Sequence, residues 1–304
     1  MRILITGATG KFGPLLVKNL LAAGHAVRVL VHSSPCPIPG IESMTGDITR
    51  PDDVSRACEG VEAVCHLATV KGDREKFLPV NLGGLFNFLE HLRSRRLSFH
   101  LIHLSGDNVL PIYDYEAQGP MDEKTPYLFV DETYGLSKVL EEVMTLQYIK
   151  KYDLPVTLLR SSWIMEGKRI LTLCDPSKYG MKDYLPPPLK EKLQKKEPFR
   201  IVPYDKNNRP LRRSVVDPRD LASAFVKTIG NRKSFGKLYH IAGTAFSYND
   251  LAEYQTNKDG LPIHRVNVPD AHSFEINTRK SEEIGYTPAY TVFDTVDWAL
   301  AGNP

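Results

Sequence analysis

The stretch Arg2-Ile3-Leu4-Ile5-Thr6-Gly7-Ala8-Thr9-Gly10-Lys11-Phe12-Gly13 decides the fold. An apolar run of strand length passes into three glycines, and then Phe12, Leu16, Leu20 and Ala23 recur at helical spacing until Gly24 stops them. Strand, glycine turn and helix is the order that aims free backbone N–H groups at an anion. Gly7 permits the tight turn, Gly10 lets the backbone approach a pyrophosphate, and Gly13 lets helix and strand pack closely. A glycine-rich turn without a ligand is the alternative; the register of all three glycines between a strand and a helix favours the phosphate cradle.

Working outward, the apolar runs 27–31, 61–67, 99–104 and 156–159 alternate with amphipathic stretches. Strands covered by helices on both faces lose their polar alternation, so the rhythm predicts an α/β chain with a Rossmann-like, doubly wound parallel sheet. The segment 131–148 has helical period, with Leu136, Val139, Leu140, Val143 and Leu146 as its apolar stripe. After Trp163 the prolines 186–188 and a basic run break the alternation. Residues 1–162, with later sheet elements near 212–243, are expected to form the dinucleotide-binding domain. Residues 163–211 and 244–304 are expected to form a smaller substrate-binding region.

The composition is that of an ordinary globular protein: 304 residues, 42% hydrophobic, 25% charged, net charge +3. The basic excess is local, with nine Lys/Arg against three acids in 190–213. No aromatic stacking pattern interleaves with it, so a solvated surface is expected rather than a nucleic-acid partner. Cys36, Cys58, Cys65 and Cys174 lack the spacing of a zinc site or a disulfide framework, and no metal is expected. No apolar run reaches membrane-span length, and the reading is a cytoplasmic protein with no membrane partner.

Further motifs stand in order along the chain: Gly46-Asp47-Ile48, His66-Leu67-Ala68-Thr69-Val70-Lys71, Asn81-Leu82-Gly83-Gly84, Tyr134-Gly135-Leu136-Ser137-Lys138, Leu159-Arg160 and Glu283-Ile284-Gly285-Tyr286-Thr287-Pro288 with Trp298. Together with the glycine loop they make the chain resemble the extended short-chain dehydrogenase/reductase family, which includes nucleotide-sugar epimerases and dehydratases. The resemblance implies cofactor contacts from Gly7, Thr9, Gly10, Lys11, Phe12 and Gly13. It further implies that Asp47 and Ile48 touch adenine, that Leu67, Ala68 and Thr69 touch the ribose and diphosphate, and that Asn81 lies in the layer beneath. Lys71 matches a lysine that some epimerases use on the cofactor. The family commonly forms homodimers through a four-helix bundle, and a homodimer is expected.

Val31 stands where an acid that accepts the adenosine ribose hydroxyls is expected. With His32, Ser33, Ser34 and Lys11 nearby as donors, NADP is modestly favoured over NAD; His32 is equally read as an exposed strand-end side chain. Tyr134 and Lys138 are four residues apart and share one helix face. A phenol ionises near pH 10, so a tyrosine working near neutrality needs a neighbouring cation; by resemblance Lys138 also binds the nicotinamide ribose.

Aligned with the family's strand-end serine motif, Gly106 occupies the usual hydroxyl's place. Asn108 is the expected substitute, Thr133 a weaker one, and a merely loop-stabilising Asn108 the alternative. Ser105, Trp163 and Arg213 are the expected substrate contacts. Arg213 matches a diphosphate-clamping arginine of nucleotide-sugar enzymes, whereas Trp163 replaces their asparagine and a second arginine is missing around Asn267. The expected function is NAD(P)-dependent hydride transfer at a carbinol or carbonyl carbon of a sugar-like or other small polar substrate. The alternatives are a redox-neutral sugar epimerase and a non-catalytic NADP-sensing regulatory protein.

Overall fold

The computed structural model describes residues 1–94, 99–112, 119–129 and 132–303, the side chain of Glu132 excepted. Strands β1 (Arg2–Thr6), β2 (Ala26–Val31), β3 (Glu42–Thr45), β4 (Ala63–His66), β5 (His100–Gly106) and β6 (Val156–Ser161) belong to one sheet, closed at its far edge by Lys237–Ile241. All pairings are parallel. The two remaining pairs are small: β7 (Arg200–Tyr204) with Ile263–Asn267, and β8 (Arg212–Arg213) with Phe246–Ser247. In chain order Lys237–Ile241 is therefore β9, Phe246–Ser247 is β10 and Ile263–Asn267 is β11. The large sheet reads β3-β2-β1-β4-β5-β6-β9. The order reverses between β1 and β4, and at such a switch point the loops diverge and open a crevice beyond the strand ends.

Helices α1 (Gly13–Ala22), α2 (Pro51–Ala57), α3 (Gly84–Ser94) and α4 (Glu132–Tyr152) follow β1, β3, β4 and β5. Helix α5 (Pro187–Gln194) belongs to the outer part; α6 (Pro218–Thr228) packs beside α1; α7 (Tyr248–Asp259) and α8 (Val292–Leu300) complete the chain. On one sheet face Ile3, Ile5 and Val29 meet Leu16, Leu20 and Phe225; on the other Leu4, Val64 and Leu101 meet Val54, Phe88 and Leu89. Gly24, at φ +79°, ends the turn after α1 as expected, but Ala23 lies exposed beyond the helix, whose buried side is Gly13, Leu16, Val17 and Leu20. Ile284 and Tyr286, from the stretch expected to cover the substrate, pack into the core of the large sheet.

Helix α4 corrects the sequence reading. Its inward face is polar, with Ser137, Lys138, Glu141, Glu142 and Thr145 buried, while Leu140 and Val143 of the apolar stripe are exposed. Glu142 accepts hydrogen bonds from Arg160 Nε (3.0 Å) and Nη2 (2.5 Å), from the Ser105 hydroxyl (2.5 Å) and from the Tyr127 hydroxyl (2.9 Å). Arg160 in turn reaches His240 Nε2 at 2.8 Å, so one buried pair ties α4 to β5, β6 and β9. Removing one member of a buried ion pair strands the other charge. Arg160→Met is therefore expected to destabilise the protein by about 3–5 kcal/mol in urea unfolding, and Glu142→Met combined with Arg160→Met should regain much of that loss.

Candidate active site

A cleft of about 1550 Å³ opens at the carboxyl ends of the large sheet. Its glycines are fixed by their surroundings. A Cβ on Gly7, at φ +74°, would stand 2.7 Å from Ala68 N, and one on Gly13 would stand 2.4 Å from the Ala8 carbonyl oxygen. A Cβ on Gly10 would meet only the Gly7 carbonyl oxygen, at 3.2 Å. Two glycines are thus demanded by the protein wall, while Gly10 borders the cleft with space above it. Phe12, at the start of α1, provides no side-chain cap, so the helix presents its first N–H groups without a protein acceptor from that position. These residues fit a dinucleotide diphosphate.

Every sequence-derived cofactor contact borders this cleft except Asn81. Asn81 lies beneath: it donates to the Val70 carbonyl oxygen (3.0 Å) and to Ser137 Oγ (3.0 Å), and its Oδ1 accepts from Val70 N (2.7 Å). At the adenosine end, His32 Nε2 is 3.7 Å from Asp47 Oδ2. Asp47 thus brings a carboxylate close to the position that Val31 leaves neutral. Lys11 Nζ lies 3.8 Å from Glu166 Oε1, across the cleft mouth.

Tyr134 and Lys138 both reach the cleft. Lys138 is 3% exposed; its Nζ donates to Glu141 Oε2 (2.8 Å) and to the Leu104 carbonyl oxygen (3.2 Å). The Nζ atoms of Lys71 and Lys138 stand 4.2 and 5.8 Å from the centre of the Tyr134 ring. Asn108 fills the place that Gly106 leaves empty, for its Oδ1 lies 2.7 Å from where a Gly106 Cβ would be. Thr133 does not line the cleft. Ser105 borders it, and its hydroxyl donates to Glu142 Oε1 at 2.5 Å.

Sequence reading missed Asp107. This carboxylate is 7% exposed, accepts from Ser162 Oγ at 2.9 Å and lines the cleft. Burial pushes its carboxyl up to about 6, against the Ser162 hydrogen bond and the field of Arg213. The outer half of the cleft gathers Trp163 and Arg213, both expected, with Tyr179, Tyr248 and Phe274, which no motif marked. The Arg213 guanidinium is 5.7 Å from the Trp163 ring, 5.8 Å from Tyr248 and 5.2 Å from Phe274. This is a cation walled by aromatic faces. Because Asn108 occupies the Gly106 side-chain space, Gly106→Ser should be destabilising by about 1–3 kcal/mol. Adding Asn108→Ala should relieve most of the strain, and thermal unfolding of the two variants checks both statements.

Comparison with known proteins agrees with this geometry. A family model described as the NAD dependent epimerase/dehydratase family matches residues 3–242. The chain is 29% identical to L-arabinose 1-dehydrogenase (NAD(P)(+)) of Haloferax volcanii, over 56% of this chain and 69% of that protein. It is 30% identical to a uronate dehydrogenase of Pseudomonas syringae pv. tomato, over 52% of this chain and 58% of the relative. A short-chain dehydrogenase/reductase superfamily protein from Agrobacterium tumefaciens, solved with bound NAD, superposes with a TM-score of 0.82 at 22% identity, covering 99% and 97% of the two chains. UDP-glucuronic acid 4-epimerase from Bacillus cereus superposes at 0.73 and 19% identity, over 98% and 96%. With a matched segment that runs from the first strand through the last strand of the large sheet, the chain belongs to the NAD-dependent epimerase/dehydratase family.

Proposed function

We propose that the protein is an NAD(P)-dependent oxidoreductase that moves hydride to or from a carbinol or carbonyl carbon of a sugar-like or other small polar substrate. The observation that carries this reading is the place of Tyr134: it lines one continuous cleft between the glycine loop and the aromatic pocket of Arg213, with two lysines beside its ring. A bound nicotinamide supplies the hydride acceptor or donor. The Tyr134 hydroxyl exchanges the proton of the substrate oxygen, with the Lys71 and Lys138 ammonium groups beside its ring. Asn108, in the space of the missing serine, offers an amide donor to the same oxygen. Arg213 provides the cation for an acidic group on the substrate, and its ring walls suit a stacked ring. The sugar dehydrogenases among the relatives support this substrate class. A redox-neutral epimerase uses the same residues and differs in retaining its cofactor; Lys71 beside Tyr134 and along the cofactor wall favours it as the second reading.

The NADP preference rests on Val31, His32 and Lys11, and the nearness of Asp47 to His32 keeps it small. A panel of aldoses, uronates and polyols followed at 340 nm with each cofactor tests the activity, and mass spectrometry of copurifying cofactor separates dehydrogenase from epimerase. Tyr134→Phe is expected to lower turnover by about 10²–10⁴ while calorimetry shows unchanged cofactor affinity. Full activity in Tyr134→Phe on an identified substrate would exclude the mechanism.

We also propose a homodimer through α3 and α4. Phe86 is 44% exposed and Val143 is 40% exposed, and Leu140 is likewise turned outward, which leaves apolar surface on both helices. Sedimentation at micromolar concentration should show about twice the 34.2 kDa chain mass, with Phe86→Glu reducing it to monomer.

A further inference from the structure

Lys138 is enclosed more deeply than a working ammonium group tolerates alone. It is 3% exposed, and burial favours the neutral amine. One residue meets this difficulty at close range. Glu141, three positions along α4 and 1% exposed, places Oε2 2.8 Å from Lys138 Nζ and 2.8 Å from His103 Nε2 on β5. Its Oε1 and both ring nitrogens of His103 have no hydrogen-bond partner among the described residues. A carboxylate left half unsatisfied in a protein core calls for a reason beyond packing.

We propose that Glu141 is a positioning residue that keeps Lys138 protonated beneath Tyr134, so that the phenol faces two cations, Lys138 from below and Lys71 over its ring. His103 lies against the Glu141 carboxylate from the sheet side. Behind it, His66 stacks on His103 with ring centres 5.5 Å apart and pairs with the Thr6 hydroxyl at 2.8 Å, in a polar rung across β1, β4 and β5. The register sets Thr6 beside His66 and His66 beside His103.

The charges around the site are consistent with this assignment. Burial holds both histidines below their usual range, so neither supplies a competing cation near neutrality. On the same helix, Glu142 is saturated by Arg160 and Tyr134 is the group acted upon. From the loop after β4 comes Lys71, and from the loop after β5 comes Asp107. For Lys138 itself, burial works against the charge, but Glu141, together with the Tyr134 phenol and Glu142, outweighs it and holds the ammonium above its ordinary range. For Glu141, burial pushes upward while Lys138 and His103 pull further downward.

The inference rests on the oxidoreductase reading for its purpose, but its test contains neither cofactor nor substrate. NMR titration of the full chain, labelled at lysine Cε and tyrosine Cζ, follows Lys138 and Tyr134 directly. Lys138→Arg and Tyr134→Phe assign the two signals. In the unsubstituted protein, Lys138 is expected to remain protonated up to about pH 10. In Glu141→Gln it should lose its proton about one unit or more lower. Glu141→Asp, which keeps the charge, should restore most of that shift, as a purely space-filling role would not.

Unchanged Lys138 titration in Glu141→Gln overturns the proposal. Should Glu141→Gln not fold, a Lys138 in the unsubstituted protein that deprotonates below about pH 9 overturns it equally. Failure of the oxidoreductase reading would show instead in the cofactor titration, with these NMR shifts untouched.

Discussion

A carboxylate buried without partners is among the most costly things a fold can contain, and Glu142, at 0% exposure, is a carboxylate that depends on having them. Its four donors come from β5, from β6 and from the Tyr127 segment. Their directions leave α4 one rotation about its axis. Residues four apart share a helix face, so fixing Glu142 inward also fixes Lys138 and Tyr134. Tyr134 and Lys138 are delivered to the cleft by a structural ion pair on the same helix face. The same rotation turns Leu140 and Val143 outward to the surface.

The cleft shows two ways in which glycine shapes a site. Gly7 and Gly13 are required because a Cβ would run into neighbouring backbone, and Gly10 because it leaves room for something that is not protein. Gly106 follows a third logic. Its missing side chain is answered by Asn108 two residues on, which enters the vacated space and keeps a polar group at the strand end. A hydroxyl there both donates and accepts through one atom, whereas an amide divides those tasks between two. The exchange keeps a polar group at the strand end without emptying the position.

Around Arg213 the structure departs furthest from simple family expectation. Trp163 follows β6, Tyr248 begins α7, and Phe274 lies in a stretch without regular structure, so the three rings around the guanidinium come from three separate segments of the chain. Nearby, Asp107 bears a burial-raised carboxyl. Ionisable groups held away from their usual range inside a cleft are typical of sites that handle protons or polar ligands.

The sequence by itself determined the sheet, the glycine cradle and the Tyr134/Lys138 pair, because these are local. Strand length, glycine register and a four-residue helical spacing are written in neighbouring residues. It also marked Asn108, since Gly106 breaks a motif two positions before it. What it could not decide was which face of α4 points inward. That helix carries an apolar stripe and a polar stripe at the same period, and hydrophobicity alone selects the apolar one. The choice was reversed by partners 18 to 37 residues away, Arg160 and Ser105, and by His103 beside Glu141. The spacing of Glu141 and Lys138 was visible in the chain, but its meaning depended on both being buried. Burial, and with it the strength of every charge in the site, belongs to the tertiary structure, because it depends on what the rest of the chain places between a side chain and water.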